Sequence, residues 1–188
     1  MSLLEAKKDY SKRGAFDELY TPDEAVEMLI PFIPKNVKTI WECTARKESK
    51  IVKVLRDNGF NVITSHIENG EDFFKYEPID YDMIITNPPY SKKDKFLKRA
   101  YELNKPFMFL LPITTLEGIE RGKMFNENGI QVLIPNKRFN FKPEKNSGAW
   151  FQTSWFCGGL NLEKDLNFVD LKEGGEKKEK KKNDTTID

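Results

Sequence analysis

Four consecutive residues, Asn87-Pro88-Pro89-Tyr90, carry the chemistry in this sequence. Proline has no N–H and biases the residue before it to extended geometry, so two in a row make a stiff bend with exposed carbonyls. The Asn87 side-chain oxygen and the Pro88 carbonyl then form a rigid pair of acceptors able to hold an NH2 group by both hydrogens. Tyr90 can stack on the flat system that bears the group. An exocyclic amine such as that of adenine is a poor nucleophile, because its lone pair is delocalised into the ring. Two acceptors drawing on its hydrogens favour a more tetrahedral nitrogen whose lone pair points at a methyl donor. The bland alternative is an ordinary proline turn at the end of a strand.

The elements around the turn are those such a site needs. Tyr81 to Thr86 reads as a strand running into it, and Ser91 is placed to cap a following helix whose inward face is Phe96, Leu97, Ala100 and Tyr101. Upstream, Thr21-Pro22-Asp23-Glu24 has the form of a helix start, with Thr21 as cap, Pro22 in the first position and Val26, Leu29 and Ile30 at helical spacing. Strands are expected at 37–41 and 60–63, separated by a helix over 48–58 that Gly59 stops. Phe107 to Leu111 is nearly all apolar, as a strand buried on both faces should be. A helix near 116–126 is ended by Gly129, and strands follow at 130–134 and 149–156. Alternation of this kind calls for a mostly parallel sheet with helices on both faces, whose ligands sit beyond the carboxyl ends of the strands. Asn87 stands at one such end.

Composition bounds the rest. A chain of 188 residues fits one domain with a real core, and 38% hydrophobic with 32% charged residues is globular. The net charge of +1 announces no global attraction to nucleic acid, so any such binding must use a local patch. Cys43 and Cys157 lack the paired spacing of a zinc site and read as reduced thiols, no metal site is expected, and no stretch is long and apolar enough for a signal peptide or membrane span. The expected location is cytoplasmic. Residues 1–19 read as a polar arm, 20–171 as the folded domain, and the Lys- and Glu-rich 172–188 as a disordered tail. Trp41 and Trp150 sit in apolar strands and are expected in the core.

The Asn-Pro-Pro-Tyr motif resembles the catalytic signature of S-adenosylmethionine-dependent methyltransferases that act on the adenine amino group, and of those that act on a glutamine amide. The order of segments over roughly 19–157 is similar to that of the small adenine methyltransferases of bacteriophages. The resemblance implies an α/β, Rossmann-like methyltransferase fold and S-adenosylmethionine as cofactor. It places Asn87, Pro88, Pro89 and Tyr90 in the catalytic turn. Tyr20-Thr21-Pro22 would touch the cofactor, with Glu42 and Thr44 after the first strand and Asp72-Phe73 by its adenine. Phe139 and Phe141, in Phe139-Asn140-Phe141, would line the target base.

Two departures stand on the cofactor side. The family's first loop is glycine-rich, whereas here 42–48 is Glu-Cys-Thr-Ala-Arg-Lys-Glu, and no glycine occurs between Gly14 and Gly59. The acidic residue that ends the second strand and holds the ribose is replaced by His66, the only histidine. Arg46 is the candidate to pair with the methionine carboxylate instead.

On the substrate side, Lys92, Lys93, Lys95, Lys98 and Arg99 crowd the helix after the turn, and Lys137, Arg138 and Lys142 flank the Phe pair. Lys93 and Lys95 are candidate phosphate contacts. The leading expectation is therefore methyl transfer to adenine in DNA, with the base flipped out of its stack. The others are a nucleic-acid- or partner-binding module with an impaired cofactor site, and a glutamine-amide methyltransferase.

Overall fold

The computed structural model describes residues 21–47, 49–141 and 152–171, so the arm before Thr21, Lys142, Trp150 and the tail after Leu171 lie outside it. Among the described residues, four α-helices and seven strands follow one another: α1 (Asp23–Glu27), β1 (Thr39–Glu42), α2 (Lys50–Asp57), β2 (Asn61–Thr64), β3 (Met83–Thr86), α3 (Lys93–Leu103), β4 (Phe107–Pro112), α4 (Ile119–Asn128), β5 (Gln131–Pro135), β6 (Thr153–Gly158) and β7 (Leu166–Val169). They build one sheet in the order β2-β1-β3-β4-β6-β5-β7. Every pairing is parallel except those of β6, which lies antiparallel between β4 and β5.

Alternation along the strands assigns the two faces. Ile40, Met83, Ile85, Met108 and Leu110 face one core with Ala25 and Val26 of α1 and Ile51, Val54 and Leu55 of α2. Trp41, Ile84, Phe107, Phe109 and Leu111 face the other, with Phe96, Leu97 and Ala100 of α3. Both faces are thus apolar, which is why β3 and β4 read as unbroken hydrophobic runs rather than alternating ones. Gly158 is required by close approach: a Cβ there would run into the Phe107 ring opposite it.

Several local expectations are corrected. Thr21 does not cap α1; the cap position is Pro22, with no side-chain hydrogen bond. Ser91 lies inside a 3-10 turn (Tyr90–Lys92), and α3 starts after that turn with Lys92 at its cap position, again without a side-chain cap hydrogen bond. The helix expected from Leu116 is a 3-10 turn (Ile113–Leu116) followed by α4, because Gly118 at φ +128 interrupts the two. Strand β7 had no expectation at all: it is a short edge strand with Leu166 and Phe168 exposed, so it lacks the apolar run that marks an inner strand. Trp41 is fully buried, as expected of a core residue.

Candidate active site

The carboxyl ends of β1 and β3 lie side by side and place Glu42 and Asn87 on the same edge of the sheet. Glu42 ends β1 with its carboxylate buried. Its Oε1 accepts from Thr86 Oγ1 at 2.6 Å, Thr44 Oγ1 at 3.0 Å and the Thr44 N–H at 3.1 Å, and its Oε2 accepts from Ser49 Oγ at 3.4 Å. Burial pushes the Glu42 carboxyl up to about 7, against the opposing pull of those hydrogen bonds.

Thr44 links this cluster to the Asn87-Pro88-Pro89-Tyr90 turn. Its hydroxyl lies 2.6 Å from Thr86 Oγ1 and 3.4 Å from the Asn87 carbonyl oxygen. With one hydroxyl proton it has three acceptors within reach, so the protonation of Glu42 decides how many protons remain for the others. The Asn87 side chain is held from a different element: its Nδ2 donates to Thr21 Oγ1 at 3.1 Å. Thr21 is buried, and the helix it precedes is tied to the sheet by Trp155 Nε1, which donates to the Ala25 carbonyl at 2.7 Å. Pro88 is buried, Pro89 and Tyr90 are half-buried, and Tyr90 packs against the α3-side core.

Beyond the ends of β1 and β2 opens a cleft of ≈ 1010 Å³ that runs down α2 and includes Arg46, Ser49, His66 and Glu68 in its walls. Ser49 caps α2, accepting from the Val52 N–H at 3.4 Å. The loop leading to it folds without glycine and without positive φ at any of its described residues, because Ala45 N–H donates to the Ser65 carbonyl and Ser49 N–H to that of Arg46. The positive-φ strain that a glycine-free loop implies is therefore absent from residues 43–47. His66 caps a 3-10 turn (Ile67–Asn69), its Nδ1 accepting the Glu68 N–H at 3.2 Å. With Nδ1 accepting this bond, Nε2 is the ring nitrogen left to carry the N–H of a neutral His66. Arg46 pairs with Glu68 at 3.3 Å. Lys47, Lys50, Lys53 and Arg56 add further positive charge to the walls, against Asp57 and Glu68.

Other expected site residues stand elsewhere. Phe73 is buried in the core, stacked on Phe96 at 4.7 Å, rather than presented to a ligand. Asp72 accepts the Phe74 N–H at 3.1 Å and so closes the local turn. Phe139 and Phe141 are buried beside Trp155 in the core that faces α1 and α2; a Phe pair after an edge-proximal strand is equally good core material. Lys93 reaches back to the Tyr90 carbonyl at 3.4 Å, whereas Lys95 lines a groove between α3 and α4. Two residues apart on a helix, they point to different sides and form no common patch. Tyr20 lies outside the described residues.

Residues that sequence reasoning passed over are Ser49, Glu68 and Thr86. Thr86 left a signal, being the one polar residue of Met-Ile-Ile-Thr immediately before the motif. Glu68 left none, because its place depends on the turn that His66 caps.

No protein-family model and no curated protein matches the sequence. Among solved structures the chain is similar to a Pyrococcus horikoshii protein provisionally named an RNA methyltransferase, at a TM-score of 0.45 and 12% identity, covering 74% of this chain and 84% of that one. The sheet itself defines the fold as α/β and Rossmann-like: mostly parallel, helices on both faces, and one reversed strand inserted between β4 and β5.

Proposed function

We propose that this chain transfers a methyl group from S-adenosylmethionine to the exocyclic amino group of adenine in DNA. The observation that carries the reading is the anchorage of Asn87: its carbonyl lies within hydrogen-bond reach of Thr44 and its amide is bonded to Thr21, at the carboxyl end of an inner parallel strand. Preorganised acceptors of this kind can orient a weakly nucleophilic amine without rearranging during reaction.

S-adenosylmethionine would be held in an altered way by the polar groups around the cleft. Glu68 would accept from the ribose hydroxyls, His66 would offer a ring N–H, and Arg46 would pair with the methionine carboxylate. When bound, the cofactor supplies an electrophilic methyl group. The second reading is a nucleic-acid-binding module without turnover, and the cationic walls of the same cleft favour it, since they oppose a sulfonium cation.

Incubation with tritiated S-adenosylmethionine and DNA, followed by digestion to nucleosides and mass spectrometry, is expected to yield N6-methyladenine. Label found only on glutamine of an added protein, or nowhere, contradicts the proposal.

A further inference from the structure

A small cavity of ≈ 190 Å³ opens on the other half of the same sheet edge, where β4 and β5 end and β6 begins. Its apolar wall is Ile113, Ile134 and Pro135, and Lys137 and Arg138 stand at it with their charges exposed. Thr153 also lines it, 3% exposed, with a hydroxyl that has no hydrogen-bond partner. A buried hydroxyl left without a partner calls for an explanation, and a ligand acceptor is one. The volume is below the roughly 300–1,000 Å³ usual for a small-molecule pocket and suits a compact group.

Sheet register gives its distance from the catalytic turn. Thr86 pairs with Phe109, and Pro112 pairs with Thr153. Two strand spacings separate β3 from β6, about 10 Å, and Asn87 lies two residues short of the Pro112 level, about 7 Å. A strand advances about 3.4 Å per stacked nucleotide and further when extended, so the cavity is within a few nucleotides of a base held at Asn87.

We propose that this cavity receives a phosphodiester group of the strand whose base sits at Asn87, held by Lys137, Arg138 and the Thr153 hydroxyl. The inference rests on the reading of the Asn87 turn as a base pocket, and it separates a nucleic-acid acceptor from a protein glutamine, which brings no phosphate. Lys137 also lies 3.6 Å from Glu24, but that pair is half exposed and is readily exchanged for a phosphate.

The test is fluorescence anisotropy with a labelled, adenine-containing DNA strand of ~12 nucleotides over a range of salt. Lys137→Gln with Arg138→Gln should weaken binding about tenfold and make the salt slope shallower by about 0.7, the contribution of one single-strand phosphate contact. Thr153→Val should weaken binding about threefold to tenfold with the salt slope unchanged. It should also leave the thermal midpoint equal or raised, because the hydroxyl it removes is unsatisfied in the free protein. The matched charge loss in the α3–α4 groove, Lys98→Gln with Lys123→Gln, should leave the slope as in wild type. Wild-type affinity and slope in the Lys137/Arg138 double variant, or no binding of the strand by the wild type, would overturn the proposal. Loss of binding in that variant together with full methyl transfer by Asn87→Ala would instead leave the phosphate site standing and remove the base pocket.

Discussion

The amide of Asn87 donates to the hydroxyl of Thr21, 66 residues earlier in the chain, at 3.1 Å. The side chain of Asn87 is therefore set by the segment that enters α1, not by its own turn alone. A hydrogen bond between neutral groups is worth about 0.5–1.5 kcal/mol, up to tenfold in rate if it is used only for alignment. Thr21→Val should lower methyl transfer about threefold to tenfold with an unchanged far-ultraviolet spectrum, and Thr21→Ser should restore most of it. Equal rates in all three proteins would show that Thr21 is only packed against Asn87.

Glu42 makes stability depend on pH. Burial raises its carboxyl from 4.5 to about 7 in the folded chain, so the folded state holds a proton that the unfolded state has lost. The resulting stability is fully present below about pH 4.5 and is lost as pH rises through about 7, a difference of about 3 kcal/mol. Glu42→Gln should remove this fall, which thermal melts of both proteins at pH 5 and pH 8 would measure. The same pH dependence in the variant would mean that Glu42 stays ionised throughout.

Much of this arrangement was legible in the sequence, and the misses have a physical pattern. Inner strands such as Phe107–Pro112 announce themselves because both of their faces are buried, and Asn87-Pro88-Pro89 announces itself because two prolines leave the backbone few choices. Phe139, Phe141 and Phe73 were harder, since an aromatic residue beside a site and one beneath it have the same sequence signature, and only packing tells them apart. Thr21 reads in the sequence as a cap for the nearest helix and, by resemblance, as a cofactor contact. Its actual partner is Asn87, and no periodicity encodes a contact of that separation.

His66 and Glu68 give the cofactor side its own test. His66 supplies the turn with an acceptor for the Glu68 N–H, a task an aspartate also performs well. His66→Asp should therefore keep the turn and add a carboxylate to the cleft, tightening S-adenosylmethionine binding by about tenfold or more in calorimetry. Micromolar or better binding by the wild type would show that Glu68 and Arg46 already suffice. No binding in either protein at millimolar cofactor would support the binding-module reading.

Lys93 and Lys95 should separate in function because they separate in space. Lys93 folds onto the Tyr90 carbonyl within the Pro-Pro-Tyr turn, and Lys95 faces the α3–α4 groove. Lys93→Glu should weaken binding of a DNA strand severalfold and reduce its salt dependence, and Lys95→Glu should do neither. Equal losses from both would place nucleic acid across the exposed side of α3.

The central claim is that Asn87 orients the amine that receives the methyl group, and single-turnover transfer of tritiated methyl by Asn87→Ala tests it most directly. Asn87 is half-buried and leaves the two cores untouched, so the variant should melt within a few degrees of wild type. Its transfer rate should fall by at least about 10²-fold, as removal of one preorganised polar contact to a reacting group does. A folded Asn87→Ala protein that methylates adenine at the wild-type rate would contradict the claim.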